Sequence, residues 1–156
     1  MITFDNYGNP QPTGIIKINI SDFEAIYVNS FNSSNTRQQI FDKWQTYIAD
    51  FKNKIVDHFR QWVNGSYTTN KIDPNDIDLV NLVEYSNDLN NKAHLLDGFL
   101  TRGGSKEEYK VDGYFVAIYS PSDPRYSHTT YWMDYWTDWF GHDRQRREKG
   151  LPEISF

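Results

Sequence analysis

The sequence predicts a single α+β domain, of the broad α/β type, in which a small mixed sheet is flanked by helices. The chain has 156 residues, a length at which one domain buries about 68–70% of its unfolded surface. Short apolar runs typical of strands alternate with longer stretches in which apolar residues recur every three or four positions. Aromatic residues make up 17% of the chain, and their helical spacing favours a place in the core. These observations together indicate an α/β or α+β arrangement.

The N-terminal third contains three expected elements. Residues 1–14 hold glycines and prolines among polar residues, which predicts an irregular arm in front of one domain over residues 15–156. A β-like run covers residues 15–20, and Ser21 is the expected N-cap of a short helix. Thr36 begins a second capping pattern, and the apolar stripe after it predicts a long helix. The stripe consists of Ile40, Trp44, Tyr47, Ile48, Phe51, Ile55 and Phe59.

The middle of the chain predicts two strands, a helix and a third strand. Residues 61–63 are typical of a short strand and are followed by an Asn-Gly-Ser turn. In residues 76–84, polar and apolar residues alternate in the first half and apolar residues dominate the second half, which also predicts a strand. Residues 86–100 fit a helix, and residues 111–119 fit another strand. The core of the domain is therefore expected at about residues 36–120.

The C-terminal region, residues 124–156, predicts one helix followed by a charged tail. Its aromatic residues lie four apart. They are Tyr131, Tyr135 and Trp139, and Trp132, Trp136 and Phe140. In the tail, Arg146 and Arg147 are best explained as solvated. Arg144 and Lys149 could be solvated too, or could fold back to meet a triphosphate or an acceptor.

Composition excludes several classes of function. The chain has no cysteine, which excludes disulfides, thiolate zinc sites, iron–sulfur clusters and a cysteine nucleophile. A formal net charge of −5 disfavours nonspecific coating of nucleic acid. No apolar run approaches the roughly 18–20 residues of a membrane span, and the start lacks the pattern of a signal peptide. We therefore expect no membrane partner and a cytoplasmic location.

Two carboxylates at the start of the second strand carry the most chemistry. Asp76 and Asp78 are two residues apart, so in a strand both point to one face while Ile77 turns to the core. The two carboxylates repel each other unless a cation lies between them. Hard oxygen ligands of this kind favour Mg²⁺. Turn formation in Asp-Pro-Asn-Asp is the alternative. It explains Asp78 poorly, because Asp78 sits in an apolar run.

Two further positions complete a candidate metal–nucleotide site. Gly65 and Ser66 follow a short strand and offer backbone amides and a hydroxyl to an anion, which is also what an ordinary turn and N-cap offers. Asp112 begins the next strand, and Gly113 leaves room beside it. It could provide the third carboxylate of a two-metal site, or be a solvated acid at a strand edge.

The pattern of Gly65-Ser66, nine intervening residues, Asp76-Ile77-Asp78 and a later Asp112 resembles the polymerase-β-like nucleotidyltransferase superfamily, specifically its small single-domain members. The resemblance implies a mixed sheet with flanking helices, in which the Gly-Ser pair begins a helix and binds the triphosphate. It implies that the three aspartates bind two divalent ions, and that Asp112 also helps to deprotonate the acceptor.

The C-terminal segments are similar to a small bacterial nucleotidyltransferase-like family. They are Tyr131-Trp132-Met133-Asp134, Trp139-Phe140-Gly141-His142-Asp143-Arg144 and Lys149-Gly150. The superfamily resemblance covers about residues 60–120, and the family resemblance extends over nearly the whole chain. Asn64 departs from the superfamily pattern, since a small residue often precedes the Gly-Ser pair, although Asn suits a turn.

The expected function is therefore a Mg²⁺-dependent nucleotidyltransferase, with Mn²⁺ as the alternative ion. It would transfer a nucleoside monophosphate from an NTP, first of all ATP, to a hydroxyl of a protein, a tRNA, a small molecule or a nucleotide. The alternative is a nucleotide-binding or antitoxin-like module without turnover. No separate acceptor-binding domain is visible, so a partner chain or a homo-oligomer could supply it. A purely structural aromatic module would leave the spaced acids unexplained.

Overall fold

A computed structural model describes all residues from Met1 to Phe156, and it confirms an α+β fold with a mixed sheet. The strands are β1 (Thr3–Phe4), β2 (Pro10–Gln11), β3 (Gly14–Lys17), β4 (Arg60–Asn64), β5 (Ile77–Glu84), β6 (Val111–Ile118) and β7 (Gly150–Ser155). The α-helices are α1 (Ile20–Glu24), α2 (Arg37–Lys54), α3 (Asn87–Asn91), α4 (Ala93–Leu96), α5 (Ser105–Tyr109) and α6 (Tyr126–Phe140). None of these helices combines the length and the apolarity that crossing a membrane requires.

The main sheet has five strands in the order β3-β7-β4-β5-β6. The β3/β7 and β5/β6 pairs are parallel, whereas β4 is antiparallel to both of its neighbours. Residue Asn64 pairs with Asp78, and Asp78 pairs with Asp112. The register therefore sets these three residues side by side across three strands.

Helices cover both faces of the sheet. The apolar stripe of α2 packs on one face with Ile77, Leu79 and Val83 of β5. Helix α6 covers the other face, where Trp136 and Phe140 pack with residues that include Val80. Because side chains alternate along a strand, Asp78 lies on the α6 face, just before the apolar part of β5 on that face.

Aromatic residues supply much of the core, and buried amide side chains satisfy the polar groups of Trp44 and Tyr47. The Trp44 indole nitrogen donates to Oε1 of Gln61 at 2.9 Å. Gln61 in turn donates to Asn81 at 2.8 Å, and Asn81 donates to the Tyr47 hydroxyl at 2.6 Å. This network fixes α2 on the sheet, because each buried polar group would be costly without its partner.

The N-terminal region is more ordered than the sequence predicts. Residues 1–14 contain the antiparallel β1/β2 pair rather than only an irregular arm, and Asn9 is buried. The next helix is capped by Asn19, whose side chain accepts from the Asp22 amide, and not by Ser21. Thr36 makes no side-chain cap on α2; the Ser34 hydroxyl accepts from the Arg37 amide instead.

Two further predictions fail in the C-terminal half. Residues 86–100 form α3, α4 and a 3-10 turn instead of one helix, since Asn90, Asn91 and Gly98 are weak helix formers. The tail is not all solvated, because it ends in β7, an interior strand of the sheet. The carboxylate of Glu153 is tolerated in this strand because the Trp62 indole nitrogen donates to it at 2.8 Å.

Candidate functional site

The three predicted aspartates lie together at one edge of the sheet. Asp78 and Asp112 are register partners on adjacent parallel strands, and Asp76 precedes β5 on the same side. The ammonium of Lys106, from α5, lies 2.7 Å from an Asp76 oxygen and 3.4 Å from an Asp112 oxygen. The structure thus brings the aspartates together around a lysine that the sequence did not single out.

Lys106 and Thr101 satisfy the two outer carboxylates. The hydrogen bond to Asp76, and the negative charges of Asp76 and Asp112, raise the pKa of Lys106, so it remains a cation. Asp112 also accepts a hydrogen bond from the Thr101 hydroxyl. No local pattern marked these two residues, because Thr101 reaches the site from a 3-10 turn and Lys106 from the short helix α5, both in the connection between β5 and β6.

Asp78 differs from its neighbours because no hydrogen bond holds its carboxylate. Burial, followed by the negative charges of Asp76 and Asp112, raises its pKa to about 6. Lys106 and Lys149 act in the opposite direction but do not cancel these effects. The carboxylate of Asp78 therefore keeps acceptor capacity for a ligand.

Gly65 lies directly against Asp78. It has φ +81° and ψ −167°, a backbone conformation adopted almost only by glycine. A Cβ atom built on Gly65 would come within 1.8 Å of Oδ2 of Asp78. The glycine is thus required both by the backbone and by the close approach of the carboxylate.

Ser66 does not begin the helix that the resemblance implies. It opens a single 3-10 turn, Ser66–Thr68, after which the chain crosses the N-terminal end of α2. The cause is Arg37, whose guanidinium donates to the carbonyls of Thr69 and Lys71 at 2.8 and 2.6 Å. These bonds use carbonyls that a continuing helix would have paired within itself.

A cavity of about 810 Å³ opens in front of Gly65, Ser66 and Asp78, within the range of small-molecule sites. Basic residues on its wall include Lys71, Arg144 and Lys149. None of these three forms an ion pair within the chain. The cavity wall therefore places three cations without ion-pair partners near the carboxylate of Asp78, although the net charge of the whole chain is −5.

Lys149 is not solvated, which was one of its two predicted positions, because its side chain points inward. Its side chain is 4% exposed, and its ammonium donates to the Asn64 side-chain carbonyl. Burial lowers the pKa of Lys149 to about 8, although the charges of Asp78 and Asp143 oppose this. Lys149 is therefore a partly desolvated cation that keeps free donors.

The other tail residues are held by ion pairs. Arg146 lines the cavity but pairs with Asp138 at 2.7 Å. Arg147 pairs with Asp143 at 2.6 Å, and Asn9 of the N-terminal region donates to the same carboxylate at 3.0 Å. Desolvation would raise the pKa of Asp143, but these hydrogen bonds outweigh it and lower the pKa.

The arrangement has the right donors for a divalent ion, but they are not assembled around one. No three carboxylate or imidazole groups are placed to hold a metal ion, and the Lys106 ammonium lies between Asp76 and Asp112. Oxygen ligands and the free carboxylate of Asp78 suit Mg²⁺. Ion binding would therefore require Lys106 to withdraw from the carboxylates.

Comparison with known proteins gives a family but no activity. No curated protein matches the chain, and no solved structure matches it. The profile of a family of unknown function, DUF6932, matches residues 2–155. The description of that family does not mention nucleotide transfer, so the resemblance to nucleotidyltransferases stays a prediction. Since the match spans almost the whole sequence, the chain belongs to the DUF6932 family.

Proposed function

We propose that the protein is a Mg²⁺-dependent nucleotidyltransferase that moves a nucleoside monophosphate from an NTP to a hydroxyl acceptor and releases pyrophosphate. The observation that carries the proposal is the juxtaposition of Asp78 and Asp112 in one register row with Gly65 directly beside Asp78. Carboxylates that can hold divalent ions and an open backbone turn are what phosphoryl transfer needs in one place.

The chemistry consists of one bond formed and one bond broken. The acceptor oxygen forms a bond to the α-phosphorus, and the bond from that phosphorus to the bridging oxygen of the pyrophosphate breaks. Asp112 would accept the proton of the acceptor hydroxyl, with Thr101 orienting its carboxylate. Mg²⁺ or Mn²⁺, when bound by Asp76, Asp78 and Asp112, would neutralise charge on the phosphates.

The basic wall of the cavity fits the triphosphate. Lys149 donates to the side chain of Asn64, the residue before Gly65. Lys71 and Arg144 line the same cavity without carboxylate partners. Charge-assisted hydrogen bonds to phosphate are stronger than neutral ones, and the partial desolvation of Lys149 strengthens them further. These cations would hold the β- and γ-phosphates while the backbone amides at Gly65 and Ser66 approach the same group.

ATP is the nucleotide we propose first, and the cytoplasm, where NTPs and Mg²⁺ are abundant, is the proposed compartment. The acceptor would be a hydroxyl of a protein, a tRNA, a small molecule or a second nucleotide. An acceptor-binding surface would come from a partner chain or from a homo-oligomer.

The test is transfer of label from each α-labelled NTP, with Mg²⁺ or Mn²⁺, in the presence and absence of total tRNA and cell lysate. We expect labelled product and pyrophosphate from the wild type and a loss of about 100-fold or more in Asp78→Asn. Asp97→Asn is the control, because Asp97 is exposed and pairs only with Arg102. Equal transfer by wild type and Asp78→Asn would refute the assignment.

A module that binds a nucleotide without turnover is the second candidate. It is favoured by Lys106, which already pairs with both Asp76 and Asp112 and would take the place of a metal ion as a permanent counter-charge. This candidate predicts NTP binding that survives EDTA, with no pyrophosphate release. Binding that requires Mg²⁺ and is followed by turnover contradicts it.

A further inference from the structure

Trp139 is the unusual aromatic residue of α6. The helix also exposes Tyr126, Tyr131, Trp132 and Tyr135. The Trp132 ring packs edge-on against Tyr131 and Tyr135, with centroid distances of 5.1 and 5.4 Å, and Tyr126, the first residue of the helix, is only 37% exposed. The ring of Trp139 pairs with no other aromatic ring, and the residue is 61% exposed. A large apolar face is thus left open to solvent.

This open ring lies on the wall of the cavity that holds Asp78 and Lys149. The other aromatic residues on that wall are already engaged. Phe140 is 2% exposed, and the Tyr114 ring packs on Trp136 with a centroid distance of 4.5 Å. Trp139 is therefore the aromatic surface that a ligand in the cavity can cover.

The cavity consequently offers two chemically distinct parts. One part is polar and basic, with Lys71, Arg144 and Lys149, and the other is a single flat ring. A nucleoside triphosphate has the same division, with a polyanion at one end and a flat base at the other. Stacking of a base on an aromatic side chain contributes about 1–3 kcal/mol, and a larger base covers more of the indole.

We propose that Trp139 is the stacking platform for the base of the bound nucleotide and that it gives the site a preference for purines. The inference rests on the proposed function, since it requires a nucleoside triphosphate in this cavity. Trp139 is a binding residue for the base and takes no part in the transfer step.

The test measures binding of ATP, CTP and inorganic tripolyphosphate by calorimetry, with Mg²⁺ present, to the wild type and to Trp139→Ala, Trp139→Phe and Trp132→Ala. Trp132 is the matched control, since it is exposed on the same helix but does not line the cavity. We expect Trp139→Ala to bind ATP about ten- to a hundredfold more weakly. The affinity of Trp139→Ala for tripolyphosphate should stay unchanged, and its preference for ATP over CTP should be smaller than that of the wild type. Trp139→Phe should bind ATP almost as tightly as the wild type.

The outcomes separate this inference from the function on which it rests. Wild-type binding of ATP that is unchanged in Trp139→Ala overturns the stacking role and leaves the nucleotide site intact. An equal loss of ATP and tripolyphosphate affinity also overturns it, because the substitution would then disturb the basic wall. A wild type that binds neither ATP nor tripolyphosphate overturns the proposed function and the inference with it.

Discussion

Oδ2 of Asp78 lies so close to Gly65 that a methyl group on Gly65 would come within 1.8 Å of it. The substitution Gly65→Ala should therefore destabilise the folded protein in two ways. Alanine is strained in this backbone conformation, and its methyl group clashes with the Asp78 carboxylate. The first effect costs on the order of 1–3 kcal/mol, and the second displaces Asp78. We expect a loss of unfolding free energy of about 2–4 kcal/mol in urea denaturation and loss of nucleotide binding.

Gly14 provides the control for this prediction. It also has a positive φ, +84°, but a Cβ there would meet nothing within 4 Å. Gly14→Ala should therefore cost only the backbone strain and leave nucleotide binding intact. In an Asp78→Ala background the penalty of Gly65→Ala should fall, since the oxygen is gone. Equal penalties in both backgrounds would contradict the direct contact.

Asp78→Asn should stabilise the metal-free protein at neutral pH. Burial and the two neighbouring carboxylates raise the pKa of Asp78 to about 6, from the usual 3.8 of an aspartate. Because the folded protein binds this proton more tightly than the unfolded chain, protonation of Asp78 adds to the free energy of unfolding. This contribution is fully present below about pH 4 and is lost as pH rises through 6. Above that pH the ionised side chain lowers the free energy of unfolding by about 1–2 kcal/mol, a value reduced because solvent screens part of the charge.

The measurement is urea denaturation of wild type and Asp78→Asn in EDTA at pH 5 and at pH 8. The variant should be the more stable protein at pH 8, and the difference should shrink at pH 5, where the wild-type carboxyl is largely protonated. A variant that is less stable than wild type at pH 8 would mean that Asp78 is held by favourable contacts. Asp97→Asn, at an exposed ion pair, is the control.

Removal of the Lys106 ammonium should tighten the binding of divalent ions. This ammonium lies 2.7 Å from Asp76 and 3.4 Å from Asp112, so a metal ion must compete with it. In Lys106→Gln we expect the affinity for Mn²⁺ to rise about three- to tenfold, a modest factor because the lysine is partly exposed. Calorimetric titration with Mn²⁺ measures the effect. Arg102→Gln, which removes a nearby cation paired with Asp97, should change little.

Much of the fold follows from local pattern. The stripe in α2 and the alternation in β5 depend on neighbours three, four or two residues away, and these distances are visible in sequence. The same alternation places Asp76 and Asp78 on one side, as the structure has them. Asp112 joins them because β6 runs parallel to β5 in the register that pairs it with Asp78.

The missed features all depend on contacts between distant parts of the chain. β7 contains Pro152 and Glu153, which argue against an interior strand, and it is stabilised by pairing with β3 and β4 and by the Trp62 hydrogen bond. Lys106 reaches Asp76 across 30 positions of sequence. Neither relationship leaves a local signal, so composition and periodicity could not reveal it.

Arg37 is a third long-range feature, and it holds the loop behind Gly65. Its guanidinium is buried, and donates to the carbonyls of Tyr27, Tyr67, Thr69 and Lys71 at 2.6–2.8 Å. Burial lowers the pKa of Arg37 to about 10, which still leaves it charged at neutral pH. Four carbonyls therefore depend on one planar cation for their hydrogen bonds.

Arg37→Lys should be strongly destabilising although it keeps the charge. An ammonium has three donors and cannot reproduce the planar fork, so buried carbonyls lose their partners and unfolding free energy should fall by about 2–4 kcal/mol. Nucleotide affinity should fall with it, because the released segment carries Lys71 and follows Ser66. Urea denaturation and ATP titration of the same sample measure both effects. Arg102→Lys, at the exposed ion pair with Asp97, should change stability by less than about 1 kcal/mol. An Arg37→Lys protein as stable as this control would mean that the loop is held by other contacts.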